Sequence, residues 1–265
     1  MITWNVNPEI IHLGPFSIRW YGLLFALGFI IGYQIFVNIY KKENRNVEDL
    51  NDLLWYMILG TVIGARLGHC LFYNPGYYLS NPLEILMIWH GGLASHGAAI
   101  GILISLWLYS KKKKDQPYLW LLDRIVIVVA LGGSFIRLGN LFNSEIIGKP
   151  TNAKWGFIFK RIDNIPRYPT QIFESLAYLT IFVILFTLYK KNVNKKFSDG
   201  FLFGLFLIMT FTFRFFIEFF KENQTYLEAY LPLNMGQILS IPFVLTGIYF
   251  IYRSVNKSKN NGKVR

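Results

Sequence analysis

The sequence predicts an all-α, polytopic integral membrane protein of about seven transmembrane helices with a small periplasmic cap, and three observations predict it. Hydrophobic residues fill 53% of the 265 positions and charged residues only 16%, where a soluble domain carries about 25% charge. Apolar windows of bilayer-spanning length recur over 16–38, 53–73, 92–110, 119–142, 171–189, 199–221 and 235–253. Basic residues crowd alternate connecting loops. A transmembrane barrel would instead show alternation over segments of about ten residues.

The elements follow in order. MITWNVNPEII lacks a basic n-region and a small-residue cleavage site, so the first span reads as an uncleaved anchor. Arg19-Trp20-Tyr21-Gly22 stands at its outer end, where Trp and Tyr form interfacial belts. The second span carries Arg66, His69 and Cys70. The amphipathic, aromatic stretch 74–92 suits the outer interface. Between the fourth and fifth spans, 143–170 is the longest polar interruption. Its Pro150, Pro166 and Pro169 with Gly148 and Gly156 argue against a long helix and for a cap. Residues 254–265 are Lys/Asn-rich and are expected to be a disordered cytoplasmic tail. The whole of 1–265 reads as one membrane domain. Glycines at Gly28/Gly32, Gly60/Gly64/Gly68, Gly97/Gly101 and Gly200/Gly204 have the spacing that lets helix backbones approach closely in lipid.

Charge sets the orientation. One set of loops and the tail hold sixteen Lys and Arg, the other set seven. By the positive-inside rule the C-terminus is cytoplasmic and, with seven spans, the N-terminus faces outward. The formal net charge of +12 therefore serves topology and contact with anionic membrane lipids. The basic clusters are short and dispersed, with no reader motif, and no nucleic-acid partner is expected. Cys70 is the only cysteine and reads as a small buried hydrophobe. No metal or other cofactor is expected, because nothing completes a four-ligand Cys/His set.

Arg66, Arg137 and Arg214 lie in or beside apolar runs, with His69, His96, Glu174 and Glu218 in similar settings. Ionisable groups at that depth are costly and mark function. In HGGLASHGA, His96 stands about one turn inside the third span and is suited to proton transfer. In RLGNLFNSE, Arg137 and Asn140 share a helix face and could grip one polar head group, bidentate recognition of phosphate being an arginine property. In PRYPTQIFE, Thr170 is a plausible helix cap, and Gln171 and Glu174 share a face. Arg214 and Glu218 are four apart, and Lys221 and Glu222 follow. The residues alone leave two classes open. One is an enzyme handling a lipid phosphate. The other is a secondary transporter for an organic anion, allowed by the echo between RLGHCLFYN and RLGNLFN.

RWYG, HGGLASHGAAIG, RLGNLFNSEIIG, PRYPTQIFES, FRFFIEFFKE and MGQILSIP, in that order over 19–241, resemble the prolipoprotein diacylglyceryl transferase family. The resemblance implies a seven-helix enzyme of the bacterial inner membrane, its outward side and N-terminus periplasmic, that moves the diacylglyceryl group of phosphatidylglycerol to the lipobox cysteine of a prolipoprotein peptide. A thioether forms and glycerol-1-phosphate leaves, the first step of lipoprotein maturation. It also implies catalytic roles for His96, Arg137 and Arg214, lipid binding by Asn140 and Tyr21, and a supporting Glu145. Gln171, Glu174 and Glu218 support the site on the reading of the residues above. Where many members of the family carry tyrosine, this chain has Thr210.

Overall fold

A computed structural model describes residues 1–13, 16–88, 91–191, 196–222 and 233–262. Three short strands, β1 (Ile2–Trp4), β2 (Glu9–Leu13) and β3 (Phe16–Arg19), precede α1 (Trp20–Lys42). Next come α2 (Asp49–Phe72), α3 (Pro75–Ser80), a 3₁₀ turn (Pro82–Leu86), α4 (Ser95–Lys112) and α5 (Tyr118–Asn143). After the cap strands β4 (Phe157–Phe159) and β5 (Pro166–Arg167) run α6 (Thr170–Lys190), α7 (Phe201–Ile217), a second 3₁₀ turn (Glu218–Phe220) and α8 (Met235–Gly262).

Six of these helices are long and apolar enough to cross a membrane: α1, α2, α5, α6, α7 with its 3₁₀ turn, and α8. The count corrects the expected seven. The helix found for 92–110 is α4, whose 18 residues include Ser95, His96, Lys111 and Lys112. Its apolar stretch, 98–109, is roughly 18 Å long at 1.5 Å per residue, short of the roughly 30 Å hydrocarbon core. Two further expectations shift. The first span begins at Trp20 rather than residue 16, because 16–19 forms β3 and pairs antiparallel with β2. The tail expected to be disordered continues α8 as helix to Gly262, while residues 263–265 lie outside the described residues. A formed helix extends at one hydrogen bond per added residue. Here the Ser254 hydroxyl donates to the Ser198 carbonyl and the Ser258 hydroxyl to that of Lys196.

The chain divides into two compact units, with boundaries inside α1 and near the start of α5. The unit formed by 36–122 is built on α2 and α4. They run antiparallel and meet on glycine: a Cβ added at Gly68 would lie 2.6 Å from the Gly97 Cα, and one at Gly64 2.8 Å from the Gly101 Cα. At the lysine-rich end Gln116, fully buried, accepts from Tyr40 at 2.6 Å and Tyr109 at 3.0 Å, and donates to Asp49 at 2.8 Å. Lys112 pairs with Asp52 at 2.9 Å and Arg45 with Asp115 at 3.0 Å.

The other unit, 1–35 with 123–265, holds α5, α6, α7 and α8. A Cβ at Gly28 would lie 3.5 Å from the Gly132 Cα, and one at Gly204 2.8 Å from the Gly247 carbonyl oxygen. Gly200 does not pack as expected. It starts α7 with φ 103°, and its N–H and that of Phe203 donate to Asp123 at 3.0 and 2.8 Å. The cap holds a three-stranded sheet in the order β1-β4-β5, with β1 parallel to β4 and β5 antiparallel to it. Its small core is Leu141, Phe157 and Phe159, packed by Trp4, Ile147 and Ile172. Arg167 fastens the cap, donating to Asp163 and Glu222 at 2.6 Å each and to the Gly148 carbonyl at 3.2 Å. The paired Arg167 guanidinium holds the Asp163 carboxyl below the usual carboxylate range.

Candidate functional site

The site begins where α5 ends. Arg137 and Asn140, one helical turn apart, share a face, and the Arg137 Nη1 donates to Asn140 Oδ1 at 3.5 Å. That leaves the Asn140 amide to donate to Glu145 Oε2 at 3.0 Å, while Asn143 donates to Glu145 Oε1 at 3.1 Å. Glu145 reaches back because the chain turns sharply after the helix. Ser144 and Ile146 take φ of 56° and 54°, and the Glu145 N–H donates to the Asn140 carbonyl at 2.9 Å. A left-handed conformation costs a non-glycine residue about 1–2 kcal/mol. The first turn of α6 holds it in place. The Thr170 hydroxyl donates to the Ile146 carbonyl at 3.1 Å and the Gln171 amide to the Glu145 carbonyl at 2.7 Å. Thr170 is therefore a brace across to the turn, and Pro169 precedes the helix in the capping position expected of Thr170.

A chain of charge runs behind this turn. Glu174 Oε2 lies 3.4 Å from the Arg137 Nε, and Glu174 Oε1 lies 2.8 Å from the Lys221 ammonium. Lys221 in turn contacts Glu218 Oε1 at 3.1 Å. The same Glu218 oxygen lies 3.8 Å from the Arg214 Nε, and Glu218 Oε2 accepts from Asn234 at 3.3 Å. A Cβ at Gly236 would stand 2.6 Å from the Glu218 carboxyl carbon, so glycine is what lets α8 close over that carboxylate. Side-chain exposure is 14% for Arg137 and 26% for Arg214, against 3% for both Glu174 and Lys221. Each arginine thus has a fixed, buried partner behind it and an open edge in front. Three cations against two carboxylates leave the five-member network one positive charge in excess.

Other expected residues fall around it. Tyr21 packs on α5 between Arg137 and Asn140: a Cβ at Gly139 would lie 2.7 Å from its ring. Arg137 also hydrogen-bonds Tyr178. Gln171 Oε1 and Thr210 Oγ1 are buried with no hydrogen-bond partner among the described residues. His96 is exposed in the first turn of α4, in the 36–122 unit, and His90 lies outside the described residues. Arg66 is occupied elsewhere. Its guanidinium donates to the carbonyls of Glu84, Ile85, Gly91 and Gly92 and stacks over Tyr78, so it clamps the segment after α2. Cys70 is fully buried. Among the described residues no group of three or more His, Cys, Asp and Glu is placed to hold a metal.

Tyr178 was not expected here, and Lys221 was grouped with Arg214 and Glu218 without a role of its own. Its place was signalled: Arg214, Glu218 and Lys221 are spaced i, i+4, i+7, one helix face continued into the 3₁₀ turn.

Residues 8–253 match the model of a family described as prolipoprotein diacylglyceryl transferase. The chain is similar to proteins named phosphatidylglycerol–prolipoprotein diacylglyceryl transferase. One from Tolumonas auensis is 50% identical over 97% of this chain and 99% of its own. One from Chloroherpeton thalassium is 48% identical over 97% and 96%. One from Bacteroides fragilis is 47% identical over 95% and 94%.

Proposed function

The chain belongs to the prolipoprotein diacylglyceryl transferase family, and from that premise we propose how its residues move the diacylglyceryl group of phosphatidylglycerol to a prolipoprotein cysteine. The thiolate sulfur attacks the glyceryl carbon that carries the phosphate ester. The new S–C bond is the thioether, the C–O bond breaks, and its electron pair leaves on glycerol-1-phosphate. The observation that carries the reading is the linked Arg137–Glu174–Lys221–Glu218–Arg214 network with its single excess positive charge. A phosphodiester lipid brings one negative charge, and the departing phosphate gains a second. Donors fixed before reaction stabilise such developing charge without reorganisation.

In this reading Arg137 and Arg214 hold the phosphate by their open edges. Glu174 and Glu218 aim them, and Lys221 joins the two carboxylates. Glu145 and Gln171 keep Asn140 turned toward the head group, beside Tyr21. His96 takes the thiol proton; a thiol with pKa near 8.5 needs such a base near neutral pH. The lysine-rich loops face the cytoplasm and the cap faces the periplasm of the bacterial inner membrane. The relatives are transferases by name, and nothing in them supports an anion transporter.

The test is a mass shift. Purified protein is mixed with phosphatidylglycerol and a lipobox peptide. A diacylglyceryl-sized gain on the cysteine peptide, absent from a Cys-to-Ser peptide and lost in Arg137→Ala, is the expected result. No gain with folded protein sinks the reading. Near-normal turnover in a folded His96→Gln removes that residue as the base.

A further inference from the structure

A cavity of about 600 Å³ opens beside the Glu145 turn. Asn5 and Asn7 of the N-terminal segment, Asn143 and Glu145 of the turn, and Arg161 of the cap line it. Arg19 and Glu9 also line it but neutralise each other at 3.1 Å. Two opposite charges then remain. Arg161 makes no hydrogen bond or ion pair among the described residues, and the Glu145 carboxylate is held by two amides and no cation.

We propose that this cavity receives the small phosphorylated polyol released by the transfer, a reading that rests on the function proposed above. A free guanidinium matches a phosphate. A carboxylate with three asparagine side chains offers acceptors and donors to hydroxyls. Among the described residues Val6 and Pro8 are its only apolar lining, too little apolar surface to retain an acyl chain. The cavity connects to Arg137, one of the two phosphate-holding arginines, through Glu145 and Asn140, the latter accepting from Arg137 at 3.5 Å. Glu145 takes Asn140 on one carboxylate oxygen and Asn143, a wall residue, on the other. A leaving group that passes this turn vacates the arginine pair for the next lipid, and Arg161 offers the phosphate a third cation on the way to water.

Transfer by the purified full-length protein is followed with added sn-glycerol-1-phosphate, in wild type, Arg161→Gln and Val6→Trp. Lys154→Gln removes a charge from the same cap outside the cavity and serves as the control. Binding is read in parallel by ³¹P NMR line broadening of glycerol-1-phosphate, of ethanolamine phosphate and of inorganic phosphate. The expected result is product inhibition in wild type and Lys154→Gln. The half-inhibiting concentration should rise at least tenfold in Arg161→Gln and in Val6→Trp, with broadening of glycerol-1-phosphate lost in both. Equal inhibition in all four folded proteins overturns the proposal, since the product would then bind only at the lipid-phosphate arginines. Stronger broadening of ethanolamine phosphate than of glycerol-1-phosphate also overturns it, as it would mark a site for amines. If wild type transfers nothing, the proposed function fails, and the NMR arm still decides whether the cavity binds a polyol phosphate.

Discussion

Lys221 is the residue on which the charge network depends. Its ammonium is 3% exposed and lies within 3.1 Å of two carboxylates from different elements. Breaking a buried ion pair by removing one partner costs roughly 3–5 kcal/mol, because a charge is left uncompensated. Lys221→Met should lower thermal stability in detergent and cut transfer at least a hundredfold, chiefly in kcat. Lys221→Arg should restore stability and most of the turnover. Loss of stability with normal kcat would reduce Lys221 to a structural residue. Thr210 makes the opposite case. Its hydroxyl is buried with no hydrogen-bond partner among the described residues, and an isosteric apolar replacement removes a desolvation cost of about 1–3 kcal/mol. Thr210→Val should raise the melting temperature and leave transfer unchanged. At this scale the sequence was a good guide where spacing on one helix did the work, as for Arg137 with Asn140 and Arg214 with Glu218. It misdirected at Arg66, as apolar in its flanks as Arg137. What separates the two is the set of carbonyls that the chain folds back onto Arg66 from 18 to 26 positions away.

Among elements, the turn after α5 and the cap carry the most constraint. Ile146 is β-branched and left-handed, so Ile146→Gly should stabilise the fold by about 1 kcal/mol. It should also loosen Glu145, lowering transfer while chemical denaturation shows a gain. The Asp163–Arg167 pair predicts a pH response. Asp163 titrates lower in the folded cap than in the open chain. Its contribution is therefore complete above its ordinary value near 4 and fades as pH falls through the depressed one. Pepsin cleavage near Trp155 should be faster in Asp163→Asn than in wild type at pH 4–5, and the difference should shrink as pH falls. A difference that does not change with pH would assign the effect to something other than this carboxylate. The strands of the cap were not legible beforehand. They are two or three residues long, and β1 finds its partner β4 more than 150 positions away, so no local period announces them. The helices were legible because each is a long apolar run. α4 falls short of a span for the same physical reason, with polar residues at both ends of an 18-residue helix.

For the molecule as a whole, the chain is suited to measuring its orientation in the membrane. Its one cysteine, Cys70, is fully buried, so introduced cysteines report without a background. Asn152→Cys in the cap should react with a membrane-impermeant maleimide from the outside of intact cells. Lys114→Cys in the lysine-rich loop should react only after lysis. The reverse pattern would invert the topology. Both ends of the 36–122 unit are tied down within it, by Gln116 at one and Arg66 at the other. That makes Gly64→Val a test of the whole unit, since a Cβ there meets the Gly101 backbone at 2.8 Å.

The capping of α7 sets a clock on biosynthesis. Asp123 binds amides that begin 77 residues further along the chain. At roughly 5–20 residues per second, the ribosome needs about 4–15 s between making the carboxylate and making its partner. Over that interval the nascent α5 carries an acid with nothing to hold. The newly made protein should therefore be most vulnerable to degradation before α7 emerges, a period that pulse-labelling can time.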